Sequence, residues 1–206
     1  MEIILSGDIV NSTNVKPQVY LSILEKWIIK HSKDQQYSIY RGDSFQLVVA
    51  QPAKALSVII ELKSALKRIK TLDVKLAIGL GGIDFKNAIT SKSNGTAFIR
   101  SGRALDAIEN KKQNIILSSD HPLDTYMNSN LKLAGILMDS WSINSAETVY
   151  EALINPKVNQ TQLGQLLGIK QATASRRLER AYWTEIQELI LLFEQFYKDV
   201  SHGAID

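Results

Sequence analysis

Residues 37–50 read YSIYRGDSFQLVVA, and the reading of this stretch decides the fold. Its alternating β-branched and aromatic residues predict two strands of a hairpin, interrupted at Arg41-Gly42-Asp43-Ser44 by a tight turn at the Gly-Asp pair. An acidic side chain fixed at such a turn is readily aimed at a metal ion or a phosphate. A second Asp lies in Ile3-Ile4-Leu5-Ser6-Gly7-Asp8-Ile9-Val10, an apolar strand pattern with one carboxylate inside it. A buried carboxylate is costly unless paired or liganded, so Asp8 and Asp43 are read together.

Upstream of the hairpin, Glu2 to Val10 predicts a strand. The polar run Asn11-Ser12-Thr13-Asn14 can cap a helix over 15–31, whose stripe is Val19, Tyr20, Ile23, Leu24, Trp27 and Ile28. Downstream, Pro52 opens a second helix with Leu56, Ile59, Ile60, Leu62, Leu66 and Ile69 inward. Val74 to Gly82 reads as a buried strand ending in glycines. Strand, helix, hairpin, helix, strand is a βαββαβ order, which predicts an α+β protein with a ferredoxin-like first domain over 1–141. Further along come a polar loop over 85–98 that includes Ser91, a helix over 98–108 and a short strand over 114–118. A helix from about Pro122 to Trp141 follows, with Ser119 as its cap.

Residues 142–206 predict a small all-α domain. Asn159 caps Gln160–Leu167, Gly168-Ile169-Lys170 turns, and Gln171–Ala181 forms the next helix. Leu163, Leu167, Ile169, Ala174 and Leu178 fall on the inner side, while Gly164 permits close approach of the two helices. This is a helix-turn-helix signature. Its outward residues, Lys170, Gln171, Thr173, Arg176, Arg177 and Arg180, suit base edges and phosphates of double-stranded DNA. Residues 155–206 hold six Lys and Arg against six Asp and Glu, so the basic character is local to this helix. A helix-turn-helix used only for protein contact stays open. Thr184 to Gln187 can form a capping box, starting a helix to about Val200 with Ile186, Ile190, Phe193 and Tyr197 on one stripe. That apolar face can join two subunits, and a homodimer suits a two-fold DNA site.

The chain of 206 residues is 45% hydrophobic and 22% charged, enough for a sizeable core. Cysteine is absent, which excludes disulfides, thiolate metal sites and a cysteine nucleophile and fits a reducing cytoplasm. No apolar run reaches membrane-spanning length, and the first residues lack a signal-peptide layout. A net charge of +3 does not by itself announce nucleic-acid binding. His31, His121 and His202 form no ligand spacing, and the serines lack a histidine partner motif.

Four motifs carry a resemblance: Ser6-Gly7-Asp8-Ile9-Val10-Asn11-Ser12, Arg41-Gly42-Asp43-Ser44-Phe45-Gln46, Ala77-Ile78-Gly79-Leu80-Gly81 and Ser101-Gly102-Arg103-Ala104-Leu105-Asp106. Together they resemble the SatD-like family of small bacterial proteins, and behind it the palm domain of class III nucleotide cyclases. The resemblance implies that Asp8 and Asp43, with the Ile9 carbonyl, hold Mg2+ or Mn2+, and that Arg41, Arg100 and Arg103 are candidates to contact a nucleotide. It also implies departures. Cyclases place a purine-selecting lysine where this chain has Ile39, and an Asn and an Arg where it has Arg100 and Ala104. The metal pair is retained while specificity and transition-state groups are altered. The leading expectation is therefore a DNA-binding regulator with a degenerate cyclase-like sensor domain that binds a nucleotide. An active nucleotide cyclase or other nucleotidyl-transfer enzyme is the alternative, and a protein-interaction scaffold the third reading. No organic cofactor is expected.

Overall fold

The computed structural model describes residues 1–85, 90, 93–111 and 113–203. Ser91 of the polar loop and residues 204–206 of the tail lie outside them. The centre is β1 (Glu2–Val10), the middle strand of a five-stranded mixed sheet. The sheet order is β2 (Ser32–Tyr40), β3 (Ser44–Val49), β1, β4 (Asp73–Gly81), β5 (Ile115–Ser118). β1 runs antiparallel to both β3 and β4, and only β5 is parallel to its neighbour.

β1 has an unbroken apolar start because both of its faces are covered. Ile3, Leu5 and Ile9 join the main core with α1 (Pro17–His31) and α2 (Ala55–Lys67). Ile4, on the other face, packs with Ala97 and Phe98 of α3 (Thr96–Lys111). The glycines of β4 serve this second contact. A Cβ on Gly79 would collide with the Ala97 carbonyl and the Ser101 amide, so the missing side chain lets α3 lie directly on the strand.

The chain continues as α4 (Asp124–Asp139), α5 (Ile143–Ile154), α6 (Gln160–Leu166), α7 (Gln171–Arg180) and α8 (Trp183–His202). α2 is shared between the sheet and these helices: every residue from Ala55 to Leu66 except Ser57 is buried, and one continuous core runs from Ile3 and Leu5 to Leu163, Leu178 and Phe193. The Trp141 indole donates to the Ala181 carbonyl at 3.0 Å across the expected boundary at 141/142. Lys63, fully buried, is held by Asp73 Oδ1 and Asp139 Oδ1, both at 2.6 Å. It thereby ties α2 to the start of β4 and the end of α4.

Several local expectations change. β2 begins at Ser32 rather than Tyr37, because Ser32 pairs with Val49 across an irregularity where Asp34 and Gln35 adopt positive φ. The run 11–14 does not cap α1 with a side chain. It forms a short 3-10 turn, and α1 opens on Pro17 with Lys16 as N-cap, where a missing N–H costs nothing. Val19 is exposed while Tyr20, Leu24, Trp27 and Ile28 are buried. Ser119 does not cap α4. Instead the Asp124 carboxylate accepts from the amide and hydroxyl of Ser119 and from the Asp120 amide. α8 starts at Trp183 behind a left-handed Tyr182, with no side-chain cap, so the Thr184–Gln187 capping box does not form.

Candidate functional site

The two carboxylates read from sequence stand at the same end of β1. Asp8 pairs with Ser44 in the register, which puts the following strand directly beside it. The hairpin turn is three residues wide, since Tyr40 pairs with Ser44. Arg41 at φ 56° and Gly42 at φ 90° make its bend. The Asp43 carbonyl then accepts from the Ile9 amide at 3.1 Å. In an antiparallel ladder one residue's N–H and C=O face the same neighbour, so the Ile9 carbonyl also faces the hairpin turn.

Each carboxylate has one oxygen fixed by a serine. Ser44 Oγ donates to Asp8 Oδ1 and Ser12 Oγ donates to Asp43 Oδ2, both at 2.7 Å. Ser12 is itself buried, so it holds Asp43 rigidly. Among the described residues no hydrogen bond reaches Asp8 Oδ2 or Asp43 Oδ1. Two carboxylate oxygens and one backbone carbonyl are a hard-oxygen donor set that fits Mg2+ or Mn2+. Among the described residues no cluster of three or more Asp, Glu or His side chains could enclose a metal. A cation here would complete its shell with water or a ligand's phosphates, as Mg2+ commonly does.

The surrounding face supplies groups that sequence reading left without a role. Opposite residues of neighbouring strands share a face, so Lys75, across from Asp8 on β4, stands on the Asp8 face. Tyr40 lies there too. Burial pushes its phenol above the usual value, Asp8 and Asp106 push it further, and Arg41 opposes them. Asp106 of α3 is thus close enough to be felt, a proximity created by the crossover of α3 and invisible in the spacing. Next to this group, Gln46 Nε2 donates to Ser6 Oγ and Ser6 Oγ to Ser101 Oγ, both at 3.0 Å.

The arginines divide. Arg41 sits on the turn beside Asp43. Arg100 does not join it: its guanidinium donates to the Leu80 carbonyl at 2.6 Å and to Asp120 Oδ2 at 2.9 Å and 2.6 Å. Leu80 pairs with Ile3, five residues from Asp8, so Arg100 is at the opposite end of the sheet, about 17 Å away at ~3.4 Å per residue. Arg103 is exposed and lies on α3 midway between Arg100 and Asp106, three residues from each. The structure does not bring Arg100 to the carboxylates. Ile39 is packed against the main core and Ala104 is buried beside Ala77, so both positions are used for packing.

The second candidate surface is on α7. Asn159 and Gln162 form a reciprocal capping box that starts α6. A Cβ on Gly164 would lie 2.9 Å from the Ile169 carbonyl and 3.2 Å from the Gln171 amide. The bare glycine therefore sets how closely α6 meets the start of α7. Leu163, Ala174 and Leu178 are buried, as the pattern predicts, and Leu167 and Ile169 are half-buried. Lys170, Gln171, Thr173, Arg176 and Arg180 are exposed. Thr173, Arg176 and Arg180 follow at three and four residues, so they form one stripe. Arg177 is off that stripe: it is half-buried and pairs with Glu147 Oε2 of α5 at 3.4 Å. Gln171 Nε2 donates to Gln160 Oε1 at 2.9 Å, bracing α7 against the first residue of α6.

Residues 2–183 match the model of the SatD family. The match spans 182 of 206 residues, and the chain belongs to that family. No curated protein matches it.

Proposed function

We propose that this member of the SatD family is a DNA-binding regulator, with residues 1–141 a cyclase-type palm that senses a nucleotide and residues 142–206 a helix-turn-helix module. The observation that carries the reading is the α7 stripe Thr173, Arg176 and Arg180, exposed opposite a packed Leu163/Ala174/Leu178 face. The strand order β2-β3-β1-β4 with two helices on one face supports the ferredoxin-like assignment of the sheet. Asp8 Oδ2, Asp43 Oδ1 and the Ile9 carbonyl would hold Mg2+ or Mn2+, which supplies charge neutralisation for the phosphates of a bound nucleotide. Arg41 adds a second positive group on the same turn. With Arg100 engaged by Asp120 and Ile39 and Ala104 committed to packing, the site binds a nucleotide rather than cyclising it. A homodimer presents two α7 helices to a two-fold site.

The test is fluorescence anisotropy of full-length protein against duplexes from its own upstream region and random duplexes, at several salt concentrations, with and without nucleoside triphosphates and Mg2+. Salt-dependent binding with a preferred site supports the reading. Absence of duplex binding at low salt under all these conditions sinks it and favours a protein-contact role for α6 and α7. Cyclic or oligomeric nucleotide product that disappears in Asp43→Asn would favour the enzyme.

A further inference from the structure

α4 is fastened to one edge of the sheet, and the way it is fastened leaves its other side bare. The outward N–H and C=O of Leu117 on β5 are taken by the Asn128 side chain, which accepts from one and donates to the other, both at 2.8 Å. The Ile115 carbonyl accepts from Gln113 Nε2. Two side-chain amides thus close this edge, so it is not a template for another strand. Met127, Leu131, Ala134 and Met138 of α4 are buried against the core. On the opposite side Tyr126, Leu133 and Ile136 are 69%, 64% and 61% exposed. Tyr126 and Leu133 are seven residues apart, as are Ser129 and Ile136, which is the spacing of a helix–helix seam. The seam itself is free of charge. Of the three charged residues of α4, Asp124 is engaged by the Ser119 and Asp120 amides, Asp139 by Lys63 and Asn114, and Lys132 stands at the seam's edge.

We infer that this face of α4 pairs with the same face of a second copy of the chain. In a two-fold contact a surface meets itself, so a face that carries one sign of charge repels its own copy. The exposed side of α8 shows Leu191 and Leu192, but also Glu185, Glu188 and Asp199 against Lys198. α7 shows Arg176 and Arg180. The α4 seam meets its copy with no such cost, and it offers no charge to a nucleic acid or an anionic lipid surface. Pairing removes Tyr126, Leu133 and Ile136 of both copies from water. A helix of 16 residues is about 24 Å long, so the contact is at the small end of specific interfaces, ~1,200 Å² in total, and the dimer dissociates at micromolar concentrations. The inference supplies the contact for the homodimer of the functional reading and rests on that reading only for the link to DNA.

The experiment is sedimentation velocity of full-length protein without DNA, from about 1 to about 200 µM. A monomer–dimer equilibrium is expected. Leu133→Glu with Ile136→Glu sets like charges across the seam and weakens the dimer at least about tenfold. Leu191→Glu with Leu192→Glu, a comparable loss of exposed apolar surface on α8, leaves it unchanged. An unchanged melting temperature at low concentration shows that each variant is folded. Because the chain has no cysteine, single cysteines report the contact directly: a short bis-maleimide links Leu133→Cys into a covalent dimer and does not link Leu192→Cys. Monomer at every concentration, a dimer indifferent to the α4 substitutions, or cross-linking from Leu192→Cys alone overturns the inference. A dimer that binds no duplex supports the inference and counts against the DNA reading alone.

Discussion

The carboxylate end of the sheet and the α7 helix organise their polar residues in opposite ways. On α7 the jobs are separated: Leu163, Ala174 and Leu178 pack inward while Thr173, Arg176 and Arg180 face out. At the sheet end they are fused. Asp8 and Asp43 are candidate ligands, yet each also accepts a hydrogen bond that fixes a strand or a turn. A helix three turns long has a whole face to spare, whereas a β-turn must satisfy its polar groups within a few residues. The α7 stripe should therefore be replaceable without cost to the fold, and the aspartates should not.

The largest effect tests the element the two regions share. Lys63 is fully buried between Asp73 and Asp139, and Lys63→Ala removes the buried cation they share, leaving Asp73 with Lys67 and Asp139 with Asn114. It should cost about 3–5 kcal/mol in denaturant unfolding, with the sheet and the helices melting in one transition. Two separate transitions would show that α2 does not couple them.

Next is Asp43→Asn, which weakens the Ser12 bond and removes a cation ligand. The expected loss is about 1–2 kcal/mol of stability, together with any Mg2+-dependent rise in melting temperature. Ser12→Ala should cost a similar amount while keeping some Mg2+ response. If Asp43→Asn is as stable as the wild type, the two jobs are not fused at this end.

A smaller effect concerns acid. Burial raises the Glu61 carboxyl, but hydrogen bonds from His31 and Lys30 outweigh it and hold the group below 4.5. A carboxyl with a lowered folded pKa adds stability that is complete above its unfolded value and is lost as pH falls through the folded one. Stability should therefore drop below about pH 4.5 less steeply in Glu61→Gln than in the wild type. Identical acid limbs would remove Glu61 from the account.

The smallest effect on folding should come from Arg176→Ala with Arg180→Ala, within about 0.5 kcal/mol. The same pair should weaken binding to any duplex and lower the salt slope by about two. Arg177→Ala belongs to the other class, because it gives up the Glu147 pair. If it reduces DNA affinity more than Arg176→Ala does, the stripe has been assigned to the wrong arginines.

Much of the architecture was legible because it is local. The 3.6-residue stripes of α1 and α2, the hairpin around Gly42, and the Asn159 cap all depend on residues within one turn of each other. The early start of β2 was not, since Ser32 pairs with Val49 only because Asp34 and Gln35 bend through positive φ. The candidate site was legible in part. Asp8 lies next to the Asp43–Ser44 end of the hairpin because adjacent strands carry them. Arg100 could not be placed from its motif, because its end of α3 starts beside Gly81 and not beside Asp8.

By itself the sequence determined the element types, the strand and hairpin turn that carry Asp8 and Asp43, and the inner face of the α6–α7 pair, since periodicity and turn chemistry act over a few residues. Tertiary structure alone decided that Lys63 is ringed by Asp73 and Asp139, that Asp106 is felt by Tyr40 and Lys75 stands across from Asp8, and that Arg177 belongs to Glu147. Each of these contacts joins residues brought together by a crossover or a packed helix. The pairing energy of a charge depends on distance and burial, and neither is written in the order of the chain.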